Sequence, residues 1–527
     1  MNADTALRAG RREWIGLGVL ALACVVYAMD LTVLELAVPA LSADLRPSSS
    51  QLLWIGDVYG FFVAGLLITM GTLGDQIGRR RLLLIGAAAF GIASVLASFS
   101  TSAEMLIATR ALLGVAGATV APSTLALISN MFLDPQQRTV AIGVWVSSFS
   151  AGAVIGPLAG GVMLEFFWWG SVFLLGVPVM AVLLMLGPML LPEFRDPEAG
   201  RLDLTSAAMS LVSVLAVIYG LKQTAVDGLG WLPAMSTAAG LGVGALFLLR
   251  QRTLVNPLLN LRLFRLPAFG ASLATHTLAF LAIGGAFFFT TQYLQLVLGL
   301  SPLRAGLWTV PSFGGLIVGS MLVPPLVRRV RPAFVMGAGL ALAAVGFGML
   351  TQIDGASGLA PLVSGSVVFS LGLAPVFTLA TDLIVGSAPP ERAGAASAIS
   401  ETGSEFGAAL GIAVLGSIGT AVYRDQVTDG VPAGVPPEAA EAARDTLGGA
   451  VAAAGSLPDR LGAPLLDAAR EAFVHGLQVT AVISAVIAMG LAILVAALLR
   501  HVPKGPESEM QPGLNQRIGG DSIVPEP

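Results

Sequence analysis

The sequence predicts an all-α protein: a polytopic membrane protein with fourteen transmembrane helices. Of its 527 residues, 55% are hydrophobic and 11% are charged, whereas about 25% of the residues in a typical soluble domain are charged. The mean hydropathy is +0.83. Apolar stretches long enough to cross a bilayer recur along nearly the whole chain.

Fourteen apolar stretches have the length of a membrane-spanning helix. Two of them are atypical: Leu204–Gly220 is short, and Pro267–Leu298 is long enough to be tilted or broken. In chain order the predicted spans are Trp14–Val38, Gln51–Leu73, Leu82–Ser100, Glu104–Ile128, Arg138–Leu164, Gly170–Leu191, Leu204–Gly220, Trp231–Leu249, Pro267–Leu298, Pro302–Val327, Ala333–Gln352, Gly358–Val385, Ala393–Ala421 and Val474–Leu499.

Positive charge between the spans predicts their orientation. With the N-terminus inside, most of the 28 Lys and Arg residues fall on loops that face the cytoplasm, as the positive-inside rule requires. The chain is therefore predicted to lie in the plasma membrane with both termini cytoplasmic. Residues 1–13 are predicted to be the N-terminal cytoplasmic segment, and the composition of the Pro- and Gly-rich residues 502–527 predicts a disordered tail.

One segment between spans, residues 423–473, is long and polar, rich in Ala, Pro and acids. Pro437–Leu447 and Ala463–Phe473 have helical patterns, and glycines and Pro458 separate them. We expect an extracellular helical hairpin here. The alternative is a loop without regular structure.

Several function classes lack support in this chain. Cys24 is the single cysteine, so neither a disulfide framework nor a Cys-based metal site is expected. No basic stretch is interleaved with aromatic residues, so no nucleic-acid partner is expected. Lys222 and Lys504 are the only lysines and neither ends a phosphate-binding loop, so the chain is not predicted to be an enzyme or an ATP-driven pump, although a separate ATPase subunit stays open.

Three charged residues are predicted to lie at a similar depth. Asp30, Asp57 and Arg110 lie roughly 9–12 Å below the outer ends of the first, second and fourth spans, at about 1.5 Å per residue. An isolated charge at a helix centre costs about 2.5 kcal/mol or more, so we predict that Arg110 contacts Asp30 or Asp57. The alternative for Asp30 is a position near the membrane surface with its carboxylate reaching water.

A second acidic site is predicted in the thirteenth span. Glu401 and Glu405 are four residues apart and share one helix face. Their like charges repel, so at least one is expected to hold a proton near neutral pH, which suits a proton-coupled step. The alternative is a pair of acids facing a wet cavity without coupling.

Two glycine-rich motifs predict close packing and a conformational contact. In GTLGDQIGRRR, Gly71, Gly74 and Gly78 permit close packing and a tight turn, while Asp75 beside Arg79 and Arg80 could fasten the loop to a neighbouring helix end. In GAVIGPLAGG, small residues recur along the fifth span and a proline allows a bend. The residues of this second motif are Gly152, Gly156, Pro157, Gly160 and Gly161.

These motifs resemble those of the major facilitator superfamily. GTLGDQIGRRR looks like its loop signature, RALLGVAGA around Arg110 is similar to its fourth-span motif, and GAVIGPLAGG resembles the fifth-span motif of its drug/proton antiporters. DLTVLELAVP, WIGDVYG and LQLVLGLSPLRAGL look like its fourteen-span branch, which includes quaternary-ammonium and multidrug exporters. The resemblance runs from about Trp14 to Arg500 in the expected order.

The resemblance implies a fold and adds to the site. It implies two six-helix bundles in pseudo-symmetry, at residues 14–191 and 267–500, with two extra helices at 204–249 and the hairpin 423–473 inside the second bundle. The branch has acids at the positions of Glu401 and Glu405. It usually has Asn where Glu35 stands, so Glu35 adds an acid that either favours cations or is simply solvated.

The function implied is proton-coupled export of a small lipophilic substrate, a cationic drug or an antibiotic natural product, by alternating access in a monomer. The proton gradient is the expected energy source, with no cofactor or metal. Asp30, Asp57, Arg110, Glu401 and Glu405 are the predicted proton-coupling and cation-binding residues. Candidates for aromatic cavity walls are Trp54, Tyr59, Trp145, Phe149, Phe288, Tyr293 and Trp308. Ion-coupled uptake of a small nutrient is the alternative.

Overall fold

The computed structural model describes residues 8–47, 49–196, 203–227, 230–254, 257–259, 261–355 and 358–500. Over these residues the chain forms helices and no strand, and fourteen of its helical segments are long and apolar enough to cross a membrane. The predicted fold class is therefore confirmed. Numbered in chain order, spans 1 to 14 consist of Arg11–Leu45, Ser49–Ile77, Arg79–Ser98, Ala103–Gly117 with Val120–Met131, Pro135–Phe166, Ser171–Leu174 with Gly176–Leu190, Leu204–Asp227, Trp231–Gln251, Pro267–Gln292 with Tyr293–Val297, Pro302–Val327, Pro332–Leu350, Leu359–Gly386, Ala393–Gly430 and Asp459–Leu498.

The two atypical stretches of the sequence both form spans. Span 7 continues past the predicted end at Gly220 and reaches Asp227. Span 9 is α-helical to Gln292 and ends in a π-helical turn, Tyr293–Val297. The predicted length of the ninth span is therefore confirmed, and its helical geometry changes at Tyr293.

Helix pairing repeats between the two halves of the chain. In the first half span 1 packs on spans 5 and 6, span 4 on spans 2 and 3, and span 3 on span 6. Spans 9 to 14 repeat all five pairings in the same order. The halves meet where span 2 packs on span 13 and span 5 packs on span 10. This repetition gives the two six-helix bundles that the motif resemblance implied.

Spans 7 and 8 form an antiparallel pair that lies against the junction of the two bundles. Span 7 packs on span 8, on span 2 and on span 13. Arg250, in the last turn of span 8, donates to the carboxylate of Asp203, which directly precedes span 7, at 2.8 Å. The Ser206 hydroxyl of span 7 donates to the same carboxylate at 2.7 Å. The Ser206 hydrogen bond, with help from Arg250, holds the pKa of Asp203 below its usual range. These contacts fasten the pair at one end.

The segment between spans 13 and 14 contains two short helices, Pro437–Asp445 and Leu447–Ser456, which we call the hairpin. Ala463–Phe473 is helical as predicted, but it is not a separate arm, because Asp459–Leu498 is one continuous helix that includes it. The second arm begins instead at Thr446, whose hydroxyl accepts from the Gly449 amide at 3.0 Å and so caps a new helix. The hairpin defines one end of the molecule; we call the opposite end, where the Gly71–Arg81 loop lies, the basic end.

Candidate functional site

A cavity of about 1590 Å³ lies between the two bundles. Its walls come from spans 1 and 5 of the first bundle, from spans 9, 10, 12, 13 and 14 of the second, and from Thr224 of span 7. At the hairpin end it reaches the exposed residues Arg424, Asp425 and Asp445. The cavity therefore extends from the middle of the bundle to the polar surface at the hairpin end.

Aromatic rings form much of the cavity wall. Of the predicted aromatic residues, Trp145, Phe149 and Phe288 line it. The rings of Trp145 and Phe149 are in edge contact, with centroids 4.7 Å apart. Other aromatic residues in the wall, which the sequence did not single out for it, are Tyr27, Phe280, Phe377, Tyr423 and Phe473. Tyr27 had a usable signal, since it lies one helical turn before Asp30.

Four of the predicted aromatic residues do not belong to this wall. Trp54 and Trp308 lie on exposed outer faces of spans 2 and 10. Tyr59 is buried behind span 1, where its ring packs under Arg110. Tyr293 lies in the π-helical turn and its hydroxyl donates to the Gly355 carbonyl at 2.6 Å. Each was misassigned because the rotation of a helix about its axis decides which face meets the cavity.

Glu401 and Glu405 both line the cavity, one turn apart on span 13. The intervening Ser404 also lines it, and its hydroxyl is 2.7 Å from Nε2 of His276 on span 9. His276, which also lines the cavity, therefore has a hydrogen-bonding partner on span 13. Two carboxylates thus face a cavity with aromatic walls, an arrangement that attracts cations carrying apolar rings.

Arg110 and Asp30 form a buried ion pair between spans 4 and 1. Nη1 of Arg110 is 2.7 Å from Oδ2 of Asp30, and its Nε donates to the Ile55 carbonyl at 3.2 Å. The two side chains are 1% and 7% exposed, and the Tyr59 ring centroid lies 4.9 Å from the guanidinium carbon. The predicted contact of Arg110 with an acid in this layer is confirmed.

Helix geometry explains why Asp30, and not Asp57, is the acid beside Arg110. Ile55 and Tyr59 are four residues apart on span 2, and both contact Arg110. Asp57 is halfway between them and lies about 200° around the helix from each. Its side chain is half-buried on another face. The side chain of Glu35 lies outside the part of the chain that the structure describes.

At the basic end the predicted loop contact joins the two bundles. The Asp75 carboxylate accepts from the amides of Gly394 and Ala395, at 3.1 and 3.0 Å, in the first turn of span 13. A carboxylate is favourable at a helix N-terminus because unpaired amides and the helix dipole both favour negative charge. Gly71 permits the approach, since a Cβ there would overlap the Gly394 carbonyl.

Arg79 completes this contact, which we call the latch (Asp75, Arg79 and residues 390–395). Its guanidinium pairs with Asp75 at 2.7 Å and donates to the carbonyls of Pro390 and Glu391 at 2.8 and 2.9 Å. Arg80 instead donates to the Leu191 carbonyl at 3.0 Å, within its own bundle. Gly78, between the charged groups, has a φ of 109° that favours glycine.

A second contact crosses the basic end and was not predicted as a pair. Arg138 Nε, at the start of span 5, donates to Asp382 of span 12 at 2.8 Å. The Thr139 hydroxyl donates to the other oxygen of the same carboxylate at 2.8 Å. With the latch, this contact holds the bundles together at the basic end while the cavity reaches the hairpin end.

The fifth-span glycines pack span 5 directly on span 1 around Asp30. A Cβ at Gly152 would overlap the Val25 carbonyl, and one at Gly156 would meet the Met29 carbonyl and the Thr32 hydroxyl. Gly160 packs on Val33 in the same way, whereas a Cβ at Gly161 would meet nothing within 4 Å. Gly161 therefore lies outside the packed stripe. Pro157 is accommodated within the helix, one residue after Gly156.

Comparison with known proteins agrees with this architecture. The chain is 45% identical to the multidrug efflux pump LfrA of Mycolicibacterium smegmatis over 95% of this chain and 99% of that protein. It is 35% identical to the methyl viologen resistance protein SmvA of Salmonella typhimurium over 88% of this chain and 93% of that protein. The crystal structure of the human organic anion transporter MFSD10 (TETRAN) has the same fold, with a TM-score of 0.57 at 15% identity over 92% of this chain and 99% of that one.

A family model covers most of the chain as well. Residues 20–412 match the model of the Major Facilitator Superfamily. The match begins inside span 1, continues through the additional pair and ends inside span 13. The protein is therefore a membrane transporter and belongs to the Major Facilitator Superfamily.

Proposed function

We propose that this transporter is a proton-driven antiporter that exports lipophilic cations, including drugs or an antibiotic natural product. The observation that carries the proposal is the placement of Glu401 and Glu405 on the wall of a cavity rich in aromatic rings. Carboxylates attract a cation, and ring faces hold its apolar part. The names of LfrA and SmvA, which describe multidrug efflux and methyl viologen resistance, support export of such compounds.

Coupling follows from competition for the same carboxylates. A cation bound beside Glu401 and Glu405 favours their ionised forms, whereas protons arriving from the outside neutralise them and release the cation. Because only the loaded or the protonated carrier changes conformation in such a cycle, each export step returns protons inward. The ion pair of Asp30 and Arg110 holds the first bundle together behind this site.

The latch defines the conformation that the cycle must leave. We assign the basic end to the cytoplasm, in line with the positive-inside rule, and the hairpin end to the outside of the plasma membrane. The conformation seen here is then closed to the cytoplasm by the latch and by Arg138 with Asp382. Loading a drug from the inside requires both contacts to separate as the two bundles rock about the cavity. No bound cofactor or second subunit is required.

Everted membrane vesicles test the proposal. With an acidified lumen that reports pH by fluorescence, adding ethidium should release luminal protons in vesicles that contain the wild-type protein. Glu401→Gln and Glu405→Gln should abolish the proton release, while Gly161→Ala, in the open position on span 5, should behave as wild type. Ethidium accumulation that persists after a protonophore, or that is unchanged in both Gln variants, would refute the mechanism. Uptake in the opposite direction would favour the nutrient importer.

A further inference from the structure

Span 7 occupies the gap between the bundles on the hairpin half. Ile218 of span 7 forms an apolar cluster with Phe61 and Ala64 of span 2 and Ala409 of span 13. The packing is close, because a Cβ at Gly65 of span 2 would overlap side chains of span 7. Span 7 therefore touches both bundles at the level of the cavity, beyond the latch where spans 2 and 13 meet directly.

Among the side chains of span 7 that the structure describes, Thr224 reaches the cavity itself. Thr224 is part of the cavity wall, together with residues of spans 1, 5, 9, 10, 12, 13 and 14. Its hydroxyl donates to the Gly220 carbonyl one turn earlier, at 2.7 Å. That bond satisfies the hydroxyl within span 7 and fixes the rotamer of the side chain. Thr224 lies on the same helix as Ile218, so the contact with the bundles holds Thr224 in position.

We propose that span 7 is a wall of the substrate site and that Thr224 contacts the transported compound, limiting the width of the cation that fits. This inference rests on the proposed function, because it assigns a residue to the same cavity. The additional helix pair then has a direct role in substrate selection, because between spans 2 and 13 the substrate contacts span 7 and not lipid.

Cysteine protection tests the contact. The native Cys24 is fully buried, so a charged maleimide reports on introduced cysteines. Thr224→Cys, which changes the side chain little in size, should react with the maleimide in full-length protein. The reaction should slow about tenfold when ethidium is present at about ten times its Kd, since only the unoccupied protein reacts. Export of ethidium by the unlabelled variant verifies folding.

Two matched variants make the outcome unambiguous. Glu438→Cys, on the exposed surface of the hairpin, should react at the same rate with and without ethidium. Thr420→Cys, on the span 13 wall, should be protected. Protection at Thr420 without protection at Thr224 overturns the role of span 7 alone, whereas loss of protection at both overturns the proposed cavity and the inference with it.

A second measurement addresses width. Thr224→Trp should reduce export of tetraphenylphosphonium, which is bulky in three dimensions, about tenfold relative to export of flat ethidium, a factor that corresponds to roughly 1.4 kcal/mol. An equal reduction for both cations, or none for either, contradicts a role for Thr224 in selecting by width.

Discussion

The two acidic sites of this transporter differ in what surrounds their carboxylates. Asp30 is 5% exposed, pairs with Arg110 and does not belong to the described wall of the cavity. Glu401 and Glu405 face a cavity of about 1590 Å³. All three carboxylates lie inside membrane spans, where an uncompensated charge is costly. At Asp30 an opposite charge offsets that cost, whereas Glu401 and Glu405 lie on the wall of the cavity.

The comparison teaches that burial in a span does not by itself decide what an acid contacts. In the first bundle the Asp30 carboxylate pairs with Arg110 and joins spans 1 and 4. In the second bundle the Glu401 and Glu405 carboxylates lie on the wall of the cavity. We therefore expect substitutions at Asp30 and Arg110 to lower stability, and substitutions at Glu401 and Glu405 to reduce transport with little effect on stability.

Removing Arg110 should have the largest effect. Arg110→Ala leaves the Asp30 carboxylate buried without its cation, so we expect a loss of about 3–5 kcal/mol in the free energy of unfolding. Thermal unfolding of the purified protein measures it. Adding Asp30→Asn to Arg110→Ala should recover much of the loss, and a double variant no more stable than the single one would contradict the ion-pair interpretation.

Crowding the helix contact around Asp30 should have the next largest effect. In Gly156→Ala the new methyl group meets the Met29 carbonyl and the Thr32 hydroxyl, and such overpacking costs about 1–3 kcal/mol. Thermal unfolding again provides the measurement. Gly161→Ala is the matched control on the same helix, because its Cβ meets nothing within 4 Å, and equal destabilisation by both changes would show that the stripe is unimportant.

The ring beneath Arg110 should contribute less. Tyr59→Leu removes a ring centroid 4.9 Å from the guanidinium carbon, and a desolvated contact of this kind is worth about 2 kcal/mol. Tyr59→Phe keeps the ring and loses only a long hydroxyl contact of 3.4 Å to the Tyr27 carbonyl. We expect the Phe variant to melt close to wild type and the Leu variant to melt earlier; the reverse order would exclude the cation–π contact.

The smallest effect on stability should come from the cavity acids. Glu401→Gln removes a charge that repels Glu405, so we expect no loss of stability, in contrast to Asp30→Asn, which leaves Arg110 buried beside a neutral group. The same Glu401→Gln protein should nevertheless fail to release protons in vesicles. Melting temperatures of Glu401→Gln and Asp30→Asn, measured side by side, check this. A strongly destabilised Glu401→Gln would show that Glu401, like Asp30, supports the fold.

Features that lie within one helix or loop were predictable from sequence. The apolar length of each span set their number, because the bilayer thickness fixes the helix length that can cross it. Asp75 was expected to fasten the loop to a helix end, and its carboxylate does accept from Gly394 and Ala395. The spacing of Gly152, Gly156 and Gly160 predicted a close approach to another helix because residues four apart share a helix face, and the structure shows that this helix is span 1.

The sequence by itself therefore determined the fold class, the spans, the role of Asp75 in fastening its loop to a helix end, and the placement of Glu401 and Glu405 on one helix face, since each follows from local spacing and from the cost of charge in lipid. Only the tertiary structure decided that Arg110 pairs with Asp30 while Asp57 faces elsewhere, that Trp145 lines the cavity while Trp54 and Trp308 do not, and that span 7 closes the gap between the bundles. These choices depend on how each helix is rotated about its axis. That rotation is set by packing against helices distant in sequence.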